Sequence, residues 1–212
     1  MDNTYPVQFS VDYPDRELNR LTTFFRVFTV IPIAIVLAGV TGGYGGSSGF
    51  GDAGTTETIS FTTGGLLFIP PLLMILFRKK YPRWWFDWNL ELMRFSTRVG
   101  IYFMLMDDRY PSTDEQQSVS LNISYPDAQR DLMRGLPLVK WFLVLPHYVV
   151  LFFLTVAGLF VVIAAWFAIL FTGRFPRGLF DYLVGLARWY NRVAAYAFAL
   201  VTDRYPPFRL SP

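Results

Sequence analysis

The chain repeats itself in order, and each copy carries long apolar stretches. Tyr13-Pro14-Asp15 returns as Tyr125-Pro126-Asp127. Tyr81-Pro82-Arg83 with Phe86-Asp87 returns as Phe175-Pro176-Arg177 with Phe180-Asp181. Asp108-Arg109-Tyr110-Pro111 returns as Asp203-Arg204-Tyr205-Pro206. Ordered matches of this kind point to duplication of a unit of roughly a hundred residues. The expected copies are 1–111 and 112–212. Duplication in a membrane protein commonly builds a pseudo-symmetric bundle with any site near the repeat interface.

The apolar segments set the solvent. Phe24–Val40 is the first, and Ile59–Phe77, with Pro70-Pro71 inside it, is the second. A fused run covers 141–171, with one break signal at Ala157-Gly158. As one helix, this run of ~31 residues would reach ~46 Å at 1.5 Å per residue, against ~30 Å of hydrocarbon. A tight hairpin of two short helices is therefore expected, matching the two segments of copy one. A single strongly tilted helix is the other reading. Charged residues are only 17 % of the chain, against about 25 % in soluble domains. Apolar residues are 53 % and aromatics 18 %. The missing charge implies a large apolar surface that faces something other than water.

The glycine-rich loop 41–58 holds no Lys or Arg and reads as an insertion peculiar to copy one. All 19 Lys and Arg fall in 16–26, 78–109, 130–140 and 174–209. Hairpins that leave and return put those regions on one face, and the excess of basic residues makes that face cytoplasmic. Both termini share it. Two insertions of the same orientation make the repeat parallel. Residues 1–14 hold no basic run followed by an apolar stretch, and Val7, Phe9 and Val11 alternate with Gln8, Ser10 and Asp12, which reads as a short strand and not a leader peptide.

After each hairpin comes a helix, expected at 84–106 and 179–201. Asp87, Arg94 and Arg98 match Asp181, Arg188 and Arg192. Spacings of this kind align one helical face. Glu91 joins the stripe in copy one, and Gly185 stands in its place in copy two. A charged stripe on an apolar helix suits an amphipathic helix lying in the headgroup layer. Trp84, Trp85, Trp88 and Trp189 fit an interfacial belt. Two alternating segments, Val7–Val11 and Val119–Ile123, are expected to pair as a small cytoplasmic sheet, with Asp15 and Asp127 capping the segments after the strands. The fold class is thus a mainly α membrane protein. It has two hairpins in a parallel repeat, each with an interfacial helix, plus one strand pair.

Candidate chemistry is sparse. Without cysteine, thiolate metal sites, disulfides and cysteine nucleophiles drop out. Gly45-Gly46-Ser47-Ser48-Gly49 fits the Gly-x-Ser-x-Gly elbow, but a glycine-rich loop supplies such matches by composition and lacks the required strand and helix. His147, the only histidine, sits in the second apolar run. It is expected as a neutral residue bonded to a helix carbonyl or at the interface, and no metal site is expected there. The arginine stripes admit pairing between helices or binding of anionic lipid by Arg94, Arg98, Arg188 and Arg192, with Arg78, Lys79, Lys80 and Arg83 nearby. Copy two, lacking the glutamate, offers the better lipid-binding pair. Pro32 and Pro146 match and are expected to kink both hairpins.

The Tyr-Pro-Asp strand ends, the proline-bearing hairpins, the Pro-Arg…Phe-Asp helix starts and the closing Asp-Arg-Tyr-Pro resemble the bacterial membrane family catalogued as domain of unknown function 4389. That resemblance implies the bacterial inner membrane and adds no mechanism. The expected role is a non-enzymatic accessory or scaffold protein whose cytoplasmic helices bind membrane lipids, anionic ones among them, or a protein partner or second copy. No cofactor and no nucleic acid are expected. An oligomeric channel or small-solute transporter, and more remotely a membrane hydrolase, are the alternatives.

Overall fold

In the computed structural model the described residues are 5–41, 69–113, 115 and 117–212. The glycine-rich loop beyond Thr41, Ser47 and the first part of the second apolar segment lie outside them.

The expected strands form with the expected bounds. β1 (Val7–Val11) and β2 (Val119–Ile123) pair antiparallel, with Phe9 opposite Leu121 at the centre. Val7, Phe9, Val119, Leu121 and Ile123 are buried, and Gln8, Ser10, Ser120 and Asn122 are exposed. Two strands are marginal in water alone, so the apolar face of this ribbon rests on two amphipathic helices. α4 (Arg83–Phe103) packs on β2 and α6 (Arg177–Ala197) packs on β1.

Before α4 come α1 (Arg20–Phe24), α2 (Arg26–Thr41) and α3 (Ile69–Leu73), which continues into a π-helical turn, Met74–Arg78. The cap of α1 is Asn19, not Asp15. Its side-chain oxygen accepts from the Leu21 and Thr22 amides, because an Asx side chain at this position reaches the orphan donors of the first turn. Asp127 does accept from a nearby amide, that of Gln129.

The fused apolar run 141–171 departs from the expected hairpin. It is one helix, α5 (Leu136–Thr172), of 37 residues. The glycine that reads as a break is a packing device. A Cβ on Gly158 would stand 3.0 Å from the Leu186 side chain of α6. Glycine here lets the two helices approach, and the backbone stays helical around it. α5 ends at Gly173, whose φ of +74° suits a glycine stop. Both Pro32 and Pro146 lie inside helices that continue through them.

α5 buries one side along its whole length, from Pro137 through Val144, Leu151 and Gly158 to Ile169. The opposite side is apolar and exposed: Phe142, Val149, Phe153, Phe160, Phe167 and Phe171. α2 likewise exposes Val27, Phe28, Ile31 and Ile35. α2 packs on α4 and α5 packs on α6. The molecule is thus layered, with a polar-faced sheet, then α4 and α6, then α2 and α5. Among the described residues, α5 alone is long and apolar enough to cross a membrane, judged by length and composition.

The halves are laced by contacts that recur at matched sequence positions. Arg94 Nε donates to the Leu121 carbonyl and Arg188 Nε to the Phe9 carbonyl. The Tyr13 hydroxyl donates to the Phe175 carbonyl and the Tyr125 hydroxyl to the Tyr81 carbonyl. Arg26 donates to the Asp107 carbonyl and lies 3.9 Å from the Tyr102 ring centre. Lys140 donates to the Thr202 carbonyl and lies 4.8 Å from that of Tyr196. In the first two sets a side chain from one half binds backbone of the other.

Candidate functional site

The arginine stripes point at the sheet and at the segments that come after α4 and α6. Arg94 is tied by its own half as well as by β2: NH1 meets Glu91 at 2.6 Å, and NH2 reaches the Asn122 side chain at 3.3 Å. Arg98 is buried and donates to the carbonyls of Ser112 and Thr113.

In the second half, Arg188 NH1 donates to the Leu210 carbonyl at 2.7 Å. Arg192, 2 % exposed, donates to the carbonyls of Arg209 and Ser211 at 3.2 and 3.0 Å. Its guanidinium lies 5.8 Å from the Tyr5 ring centre. As Gly185 in place of a glutamate suggests, this pair has no acidic partner on its own helix, and among the described residues its side-chain bonds number four against five for Arg94 and Arg98. Both pairs are well bonded, but with different chemistry. Arg94 has a carboxylate, whereas Arg188 and Arg192 have only neutral carbonyls. Such partners come from a distant strand and from the C-terminal tail, so helix spacing alone does not reveal them.

Gly185 explains the difference. A Cβ there would stand 2.8 Å from Leu210 Cβ and 3.1 Å from its carbonyl oxygen. Where α4 carries Glu91, the matched position of α6 has no side chain at all, and the tail runs through that space. Phe208 of the same tail stacks on His147 at 3.9 Å.

Arg188, Arg192 and Arg209 line a pocket of about 570 Å³ with Tyr5, Gln8 and Asn122. Among the described residues no carboxylate forms an ion pair with any of the three. Burial, and then the neighbouring Arg188 and Arg209 charges, push the Arg192 guanidinium below its ordinary pKa. Burial also raises the Tyr5 phenol, against the pull of Arg192. The counterpart pocket, about 310 Å³, holds Arg94 and Arg98 together with Glu91. Charge compensation therefore separates the two. Arg209 and Tyr5 lie outside both helices, and sequence periodicity gave no signal for them.

The other expected bases do not gather here. Lys79 donates to the Gln129 carbonyl, Arg83 lies 5.6 Å from the Tyr125 ring centre, and Arg78 and Lys80 are exposed and do not line the pocket. Asp87, Glu91 and Asp181 are exposed as well. Trp84 and Trp88 are exposed and Trp85 half-buried, but Trp189 is buried, contrary to its expected place in an interfacial belt. The reason is its partner. Trp189 Nε1 donates to His147 Nδ1 at 3.0 Å. His147 thus accepts through Nδ1 as a neutral ring, bonded to an indole and not to a helix carbonyl. Among the described residues no group of His, Asp and Glu could hold a metal ion.

Residues 137–209 match the family described as Domain of unknown function (DUF4389). The match covers α5, α6 and most of the tail. The description of that family assigns no activity, so the likeness says nothing of chemistry. No curated protein and no solved structure matches the chain.

Proposed function

We propose that this chain is a non-enzymatic accessory protein of the bacterial cytoplasmic membrane. Its α2 and α5 layer sits in the bilayer, and its sheet layer, with both termini, faces the cytoplasm. The carrying observation is one-sidedness. The outer face of α5 is apolar from Phe142 to Phe171, while the outer face of the sheet shows Gln8, Ser10, Ser120 and Asn122. Soluble monomers rarely expose a contiguous apolar patch above a few hundred Å². The matched contacts support a duplicated unit whose axis runs along the membrane normal, since both halves turn their apolar helices the same way.

In this reading the pocket of Arg188, Arg192 and Arg209 receives an anionic group of a cytoplasmic partner. α6 turns Arg188 toward β1 and Arg192 toward the tail, whereas it packs Trp189 on α5. The cationic site therefore belongs to the aqueous side, which favours a partner's acidic segment over the headgroups of the host bilayer. Guanidiniums that meet only neutral carbonyls in a concave site are suited to carboxylate or phosphate.

Affinity purification in mild detergent, with identification of bound proteins and lipids, tests it. Arg209→Glu reverses an exposed charge without removing a buried group, and Arg78→Glu is the control outside the pocket. Loss of an acidic partner with Arg209→Glu and its retention with Arg78→Glu are expected. The same partners with both variants would refute the assignment. Loss of a lipid alone would move the site to headgroup binding.

A further inference from the structure

A second cavity lies on the seam between α4 and α6, and we infer that it holds an acyl chain of a membrane lipid. The cleft has a volume of about 580 Å³. Its walls come in pairs matched by the repeat, among them Ser96 with Tyr190, Thr97 with Asn191, and Gly100 with Ala194. At its rim stand Thr41 of α2 and Thr155 of α5, which also match. It therefore lies where the two halves meet, flanked by the helices that carry the exposed apolar faces.

The polar side chains of its wall identify the occupant. Ser96 Oγ donates to the Leu92 carbonyl, Thr97 Oγ1 to Met93, Thr155 Oγ1 to Leu151 and Thr41 Oγ1 to Leu37. The Asn89 amide donates to Trp85 and that of Asn191 to Ala187. Each hydroxyl or amide is turned back on the helical carbonyl one turn before it, a bond such side chains can make inside helices. Tyr190 shares its hydroxyl with Thr155 at 2.8 Å. The remaining surface is Leu, Met, Ile, Ala and Phe. Among the described residues no charged side chain lines the cleft. A wall that turns its hydroxyls back on their own helices and presents mostly carbon offers a polar ligand little, and a hydrocarbon chain enters it with those bonds intact. The cleft continues the apolar surfaces of α2 and α5, so a lipid of the surrounding bilayer reaches it without crossing water.

This inference rests on the membrane reading above, and the test separates the two. The protein is reconstituted in phosphatidylglycerol–phosphatidylethanolamine vesicles containing a phosphatidylglycerol with a photoreactive diazirine in one acyl chain. A second preparation carries the diazirine in the headgroup. Crosslinked peptides are then mapped. The acyl probe is expected to label peptides spanning 92–104 and 186–198 as well as the outer face of α5, and the headgroup probe to spare both cleft peptides. A Cβ on Gly100 would meet nothing within 4 Å, so Gly100→Phe fills the cleft from an open position, and Ala194→Phe does so from the matched one. In either variant cleft labelling is expected to fall by roughly an order of magnitude, as a bulky ring takes the volume of the ligand. Labelling of α5 is expected to stay unchanged, which also shows that the variant is folded and inserted. Labelling of α5 alone in the wild type overturns the inference and leaves the membrane reading standing. No labelling of either overturns both. Equal cleft labelling in wild type and both variants, or a wild-type dimer that Gly100→Phe dissociates, also overturns it.

Discussion

Glycine to alanine should have opposite effects at two helical positions. At Gly100, in α4, a new Cβ meets nothing within 4 Å. Alanine there removes the backbone-entropy penalty of glycine in a helix, a gain of up to ~1 kcal/mol. At Gly185, in α6, the same methyl would sit 2.8 Å from Leu210 Cβ and 3.1 Å from its carbonyl oxygen. The helical gain is the same, but the tail must shift. Overpacking of this kind costs about 1–3 kcal/mol. The cost is capped by what the tail contributes, because beyond that the tail simply detaches. That contribution includes three carbonyls for Arg188 and Arg192 and the stacking of Phe208 on His147. The balance is a net loss of ~1 kcal/mol at Gly185, so the two variants should differ by about 2 kcal/mol. Equilibrium unfolding in detergent measures it. Limited trypsin digestion supplies a second readout, since a loosened tail exposes the Arg204 and Arg209 cleavage sites. A Gly185→Ala protein as stable as Gly100→Ala, with unchanged cleavage, would refute the account of the tail.

The packing dictates three further outcomes. Trp189→Phe leaves His147 Nδ1 buried without its donor and should cost about 1–3 kcal/mol in the same unfolding assay. Lys140 is fully buried and pairs with Asp203 at 2.8 Å, so Lys140→Met should cost about 3 kcal/mol. Adding Asp203→Asn to that variant should recover part of the loss, which a double-mutant cycle would detect. Phe153→Glu with Phe160→Glu alters only exposed positions of α5, and should move the protein from the carbonate-resistant membrane fraction without lowering its helix content.

Local pattern reveals some of this fold and hides the rest. The alternation in Val7–Val11 and Val119–Ile123 is visible because each strand buries one face. The amphipathic helices are visible for the same reason, with ends within a few residues of Arg83–Phe103 and Arg177–Ala197. The continuity of α5 is not. Gly158 reads as a stop, and only Leu186 of α6, distant in sequence, shows that it is a point of close approach. The arginine stripes are legible as stripes, but their partners are backbone carbonyls on β1, β2 and the tail. No side-chain spacing encodes those. Trp189 misleads for a related reason. A tryptophan near a membrane suits the interface, but here its N–H has found the one histidine. Gly185 in place of Glu91 was the available hint that copy two differs, and its meaning appears only when Leu210 is seen against it.

The absence of cysteine allows the central claim, a bilayer-seated α5 with a cytoplasmic sheet, to be tested by single introduced cysteines. Membranes of cells expressing Phe142→Cys, Phe153→Cys, Phe160→Cys or Phe171→Cys would be compared with Gln8→Cys and Ser120→Cys. The reagents are a membrane-impermeant maleimide, applied to intact spheroplasts and to inverted vesicles, and a permeant one. The account predicts that the four α5 positions resist the impermeant reagent from both sides and that the two sheet positions react only in inverted vesicles. Ready labelling of the α5 positions from water, or labelling of the sheet positions in intact spheroplasts, would contradict it.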